Sequence, residues 1–118
     1  MKATVRLTVE KNKLWLTSPQ YITNPESLVQ AEVLTKGEYG CLGIDGDLLE
    51  PSRKACKHML AWLINTKDLT KKEACVLMFV AGDLKIVEAV NMPNYAVSMS
   101  IPLNILVREK YQQLNRRC

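Results

Sequence analysis

LTKKEACVLMFVAGDLKIVEAVNMPNYAVSMSIPLNI, residues 69–105, is the stretch on which the fold turns. It reads as one helix, a glycine stop and two strands. Thr70 and Glu73 have the spacing of a capping box, in which each side chain satisfies the other's backbone N–H at a helix start. The run Ala74, Cys75, Val76, Leu77, Met78, Phe79, Val80 is too continuous for a surface helix and predicts burial on most sides. Gly82 is expected to stop the helix in the left-handed conformation. Residues 84–90 then read as a strand. Residues 95–101 alternate cleanly, with Tyr95, Val97, Met99 and Ile101 on one face. Asn91, Met92, Pro93 and Asn94 form a connection of the length that joins antiparallel neighbours. Ala96, Ser98 and Ser100 are small, so something can approach the other face closely.

Upstream the period is helical. Cys56, Met59, Leu60, Leu63 and Ile64 fall at i, i+3, i+4, i+7 and i+8, an amphipathic stripe starting after Pro51. Pro51 suits a first turn, and Glu50 favours the positive end of the helix dipole. Arg53, Lys54, Lys57 and His58 fill the opposite surface, which makes His58 an exposed residue. Residues 65–68 are expected to form the turn of a two-helix hairpin whose apolar sides need a further layer.

Toward the N-terminus, residues 3–10 alternate, with Val5, Leu7 and Val9 pointing one way and Thr4, Arg6 and Thr8 the other. That pattern predicts a half-buried strand. Residues 14–17 resume as an extended piece, making a short hairpin plausible, and residues 20–23 read as an edge strand. Residues 26–34 have weak helical character. Gly37, Gly40, Gly43 and Gly46 then punctuate the chain at three-residue intervals. They read as a loop holding a short strand at residues 41–44. No strand and helix frame them as a dinucleotide fingerprint, and the Lys-Ser/Thr pair of a phosphate loop is missing. Residues 103–114 read as a last helix.

The chain has 118 residues, room for a single domain over 1–118 or a piece of a larger one, and an ordinary apolar content of 47%. Its net charge of +4 owes much to Arg108, Lys110, Arg116 and Arg117, which read as a solvated tail. No aromatics interleave with the basic residues as a nucleic-acid stacking surface requires, so no nucleic acid is expected. No apolar run is long enough for a bilayer, and the N-terminal residues lack the apolar core of a signal peptide. Cys41, Cys56, Cys75 and Cys118 are widely spaced, and Cys56 with His58 would supply only half of a zinc site. A reduced, cytoplasmic protein is the expectation.

Several phrases together resemble the acetamidase/formamidase family, in its C-terminal portion. They are LTKKEA (69–74), GDLK (82–85) and VNMPNYAVSMSIPLNIL (90–106), preceded by AWLI (61–64). The phrases TVRLTVEKNK (4–13) and SPQYIT (18–23) are similar to its strand-then-threonine-proline passage. The resemblance implies an α+β fold, with antiparallel strands from both ends of the chain packed against the two-helix hairpin. It also implies hydrolysis of carbon–nitrogen bonds in small linear amides. Full-length relatives are more than twice as long. The histidines and acids that could activate water or bind a divalent metal lie largely in the part preceding this one. The chain therefore resembles a partial form, with no complete metal site, or a non-catalytic remnant that assembles with a partner supplying the active site.

Amide hydrolysis needs a nucleophile or activated water, a proton donor and oxyanion stabilisation. Two acids in structured positions are the catalytic candidates. Asp83 follows the glycine stop, where a carboxylate can enter a cleft, though it also suits a turn or a partner for Lys85. Glu88 breaks the apolar face of its strand, though an edge position in water would explain it as well. Cys75 reads as a buried inert thiol, and Asp45 and Asp47 as turn residues lacking the rest of a calcium loop. The helix at 74–80, together with Trp15 and Trp62 read as exposed-face residues, needs more cover than a short chain offers. A homo-oligomer or a complementary subunit is the expected partner.

Overall fold

A computed structural model of the protein describes residues 1–23, 37–90 and 92–106. The described elements are β1 (Gln20–Ile22), β2 (Glu38–Asp45), α1 (Leu49–Lys67), α2 (Lys71–Ala81), β3 (Asp83–Glu88), β4 (Tyr95–Pro102) and a 3-10 turn at Leu103–Ile105. The class is α+β, as expected: an antiparallel sheet in the order β1-β2-β4-β3 with two helices.

The sheet is built around β4. Its residues pair with β2 on one side and β3 on the other, Met99 lying opposite both Cys41 and Leu84. Side chains of directly opposed residues share a face. One face thus carries Tyr39, Cys41, Val97, Met99 and Ile101, and α1 packs on it. The core joins Cys41, Met99 and Ile101 to Ala55, Met59, Trp62 and Leu63 of α1 and Ala74 of α2. Met59, Leu63, Val97 and Ile101 are fully buried, each contributing about 1.5–3 kcal/mol relative to exposure.

The glycine-rich stretch is the main revision. Residues 38–45 are a central strand, not a loop with a short strand, and two of the glycines explain why. A Cβ at Gly43 would collide with the Pro51 carbonyl of α1, and one at Gly40 with the ring of Tyr21. Glycine here permits close approach of helix and ring to the strand. Gly37, by contrast, has φ 78° and occupies the left-handed region just before β2.

Helix α1 starts two residues before Pro51 and ends at Lys67, with Asp68 at φ 51° as its left-handed cap. Its buried line is Pro51, Ala55, Met59, Trp62 and Leu63. Cys56, Leu60 and Ile64 flank that line, half-buried. Trp62 is not exposed: it stacks on Tyr39 with ring centroids 3.8 Å apart and planes 8° from parallel. Trp15 also packs against the core, half-buried.

Helix α2 begins with the expected capping box. Glu73 N donates to Thr70 Oγ1 at 3.3 Å, and Thr70 N to Glu73 Oε2 at 3.0 Å. Its apolar run is not buried on most sides. Ala74 is buried and Leu77 and Met78 pack on the core, while Cys75, Val76, Phe79 and Val80 are exposed. One covering layer reaches only one side of this helix. Gly82 ends it in an extended conformation (φ −75°, ψ 147°), not a left-handed one. A Cβ there would meet the Met78 carbonyl and Met99 Cε, so crowding accounts for the glycine.

Strand β3 is an edge with a register shift between Ile86 and Glu88. Met92–Pro93 in the β3–β4 connection is a cis peptide. The alternation at residues 3–10 does not produce a strand: the segment is exposed and unpaired, so the expected N-terminal hairpin is not formed. A strand needs a neighbour to accept its backbone hydrogen bonds, and none of the four described strands pairs with it. The expected helices at 26–34 and 103–114 lie outside the described residues, apart from the 3-10 turn, as does the basic tail.

Substitution tests the close approach at Gly43. Gly43→Val is expected to lower stability by about 2 kcal/mol or more through overpacking. Gly46→Ala, whose Cβ would sit 3.7 Å from the nearest neighbour, is expected to change it by no more than about 0.5 kcal/mol. Urea unfolding of both variants reads the difference.

Candidate functional site

Asp83 opens β3 with its carboxylate 3.5 Å from Lys85 Nζ, on the sheet face away from α1. The small residues of β4 shape this face. Ser98 and Ser100 are fully buried, and the Lys85 side chain crosses the strand to reach Glu38 of β2. Lys85 Nζ donates to both Glu38 carboxylate oxygens, at 3.0 and 2.9 Å. Beside it, Tyr21 Oη and Ser98 Oγ are hydrogen-bonded at 2.6 Å. Burial works against the charge on Lys85. The hydrogen bond to Glu38 and the negative charges of Glu38 and Asp83 outweigh it and hold the ammonium above its ordinary pKa. A lysine so held is a counter-ion rather than a base. Asp83 is thus a partner of Lys85, as one of its two readings expected.

Glu88 ends β3 beyond the register shift, opposite Ala96 and half-buried. It lies five residues along the same strand from Asp83. The structure does not join the two candidates into one acid pair.

A second group of polar residues forms an open cleft of about 360 Å³, lined by Thr17, Ser18, Pro19, Leu42, Ile44, Lys54 and His58. It arises because β1 pairs with β2 only at Tyr39, Gly40 and Cys41. Beyond that point the Leu42 carbonyl lies 3.0 Å from His58 Nδ1, and the Ile44 carbonyl accepts from Lys54 at 3.3 Å. A carbonyl can only accept, so Nδ1 of His58 carries the proton and donates. His58 is therefore half-buried and tied to the sheet, not an exposed helical residue. Lys54 also bonds Asp45 Oδ2 at 2.6 Å. That bond, the Gly46 N–H and the charge of Lys54 hold the Asp45 carboxyl below its ordinary pKa. Ser18 Oγ is buried at the cleft, and no described residue hydrogen-bonds to it.

Asp45 and Asp47 act as turn residues, accepting from Gly46 N at 2.6 Å and Glu50 N at 2.8 Å. Among the described residues no group of three or more His, Cys, Asp and Glu is placed to hold a metal ion. The expected inert burial of Cys75 is not found, since that thiol is exposed. Cys56 is half-buried and Cys41 fully buried; burial raises both thiols, Cys41 to about 12. Tyr39, beside Cys41, is also pushed up to about 12, by burial first and then by Cys41 and Glu10.

The sequence reading missed the Glu38–Lys85 pair and the cleft. The pair spans 47 residues and exists only through the register of three strands. Its one local signal was the smallness of Ala96, Ser98 and Ser100, which did predict close approach. The cleft depends on where β1 stops, which no local pattern specifies.

Among the described residues no helix is long and apolar enough to cross a membrane. Compared with protein-family models, curated proteins and solved structures, the chain matches none of them.

Two measurements follow from this electrostatic arrangement. Lys85 has a raised pKa in the fold, so its stabilisation is complete below the unfolded value and disappears as pH rises through the folded one. Asp45 is the opposite case: its stabilisation holds above the unfolded value, near 3.8, and is lost as pH falls through the folded one. Urea midpoints against pH should lose part of the alkaline decline in Lys85→Met and part of the acid decline in Asp45→Asn. In a Cys118→Ser background, a thiol reagent should modify Cys75 first, Cys56 more slowly, and Cys41 only on unfolding.

Proposed function

We propose that the chain is the C-terminal portion of an acetamidase/formamidase-like hydrolase of small linear amides. It supplies the rear scaffold and one wall of the reaction space, and the remaining catalytic groups belong to the histidine- and acid-rich part of such a hydrolase. The observation that carries this reading is where the resembling phrases fall. LTKKEA is the capped start of α2, GDLK the entry to β3, and the 90–106 phrase the central strand β4 with its connection. The last of them forms the centre of the sheet, and the first two the helix and edge strand that lead to it.

The state of the acids supports the partial character. Asp83 and Glu38 hold Lys85, Asp45 holds Lys54, and Glu50 pairs with Arg53 at 2.7 Å. These carboxylates are engaged as structural partners and not poised over a water. The cleft at Ser18 and His58 has room for a small polar molecule. Its hydroxyl and imidazole match the carbonyl oxygen and amino group of a primary amide. A cytoplasmic setting agrees with three free thiols among the described residues.

A second reading is a non-catalytic subunit useful only through assembly. The exposed apolar side of α2, with Val76, Phe79 and Val80, favours it. Ammonia release from formamide and acetamide separates the two. The amidase reading expects none above buffer from the folded chain alone, and release once a polypeptide carrying the missing histidine- and acid-rich half is added. No release from that combination, with the complex shown to form, would leave the assembly reading.

A further inference from the structure

Among the described residues the sheet ends in an edge on the outer side of β3, and residues 3–10 pair with no strand. We propose that residues 3–10 of one copy add as a strand to the outer edge of β3 in a second copy, giving a dimer in which two arms are exchanged. The inference does not depend on the amidase reading.

Three observations point the same way. The arm alternates as a strand does, yet Val5, Leu7 and Val9 are 76%, 90% and 86% exposed. An edge strand presents unpaired N–H and C=O groups to a passing strand, and among the described residues β3 pairs with β4 alone. Leu84 and Ile86 lie opposite Met99 and Val97 and so belong to the apolar, helix-side face. At the sheet's margin, however, they remain 50% and 60% exposed. A strand added there with Val5, Leu7 and Val9 on that face would cover both and extend the core layer. Thr4, Arg6 and Thr8 would then lie beside Asp83 and Lys85 on the polar face.

The occupant is a second copy because of where the arm is rooted. It leads through a turn, closed by Leu16 N donating to Lys13 O at 3.0 Å, into β1. Strand β1 is the sheet edge opposite β3. The arm thus joins the sheet through the edge away from β3. A two-fold axis resolves this, because each copy then offers one arm and receives one, and the assembly closes. The register shift after Ile86 limits the pairing to the first part of β3.

Sedimentation of the purified full chain tests the proposal, with circular dichroism as the folding check. A dimer is expected at tens of micromolar, with slow hydrogen exchange at residues 3–10. Leu7→Asp in the arm and Ile86→Lys at the edge are each expected to weaken self-association by about 100-fold or more. Leu14→Asp, at an equally exposed position outside the arm, should leave it unchanged. Mixing the Leu7→Asp and Ile86→Lys chains restores one intact junction, so the mixture should associate more tightly than either alone. A monomer at these concentrations would overturn the proposal. So would a dimer indifferent to both substitutions, or a mixture no tighter than its components.

Discussion

Everything in this fold depends on how closely α1 can lie on β2. The contact at Gly43 puts the backbone of the helix's first turns against the strand, with the carbonyl of Pro51 and the amide of Ala55 nearest. A Cβ would prevent that approach. From this seat the rest follows in order along the helix. Lys54 and His58 reach the carbonyls of Ile44 and Leu42, which β1 is too short to satisfy. Met59 and Leu63 fill the layer above Cys41 and Ile101, and Trp62 lands flat on Tyr39. A buried carbonyl without a donor costs about 1–3 kcal/mol. The polar side chains on this helix therefore finish the sheet where its edge strand runs out.

The same geometry explains which elements were legible in the sequence. Helix α1, the capping box of α2, the antiparallel pair β3–β4 and the edge strand β1 were all readable, because each is encoded by local periodicity or a local hydrogen-bond device. Strand β2 was not. Its glycines are the residues a loop would use, and only the ring of Tyr21 and the backbone of α1 show that they make room instead. Gly82 illustrates the same point: it does end a helix, but crowding by the Met78 carbonyl and Met99 rather than dihedral freedom demands it. His58 and Trp62 were placed outside by a helical wheel that ignored the sheet beneath it. Where a residue's meaning is set by a neighbour distant in sequence, local pattern assigns the wrong cause or the wrong side.

The candidate chemistry was less legible than the fold for the same reason. Asp83 could be singled out from its place after a glycine, and its alternative reading as a partner of Lys85 is the one with geometry behind it. The stronger bond of that lysine goes to Glu38, two strands away, across serines that let a long side chain pass. Ion pairs of this kind use up carboxylates that would otherwise suggest acid–base chemistry. The grouping of Ser18, Lys54 and His58 is likewise a consequence of strand length: Lys54 and His58 are one turn apart on α1, but Ser18 stands forty residues before His58 with no shared motif.

The uncovered apolar surface carries the functional argument furthest. A helix apolar around most of its circumference is written for contact on more than one side. Helix α2 uses Ala74, Leu77 and Met78 against the core and leaves Val76, Phe79 and Val80 in solvent. The arm repeats this in β form, since its alternation has meaning only beside another strand and within a layer. Isolated exposed apolar residues are ordinary, but periodic ones in two elements are the kind of surface that a neighbouring chain covers. A partial enzyme completed by another polypeptide and a chain that pairs with its own copy both supply such a neighbour. They differ in which surface they use: the first draws on the side of α2, the second on the edge of β3, so the two can coexist in one assembly.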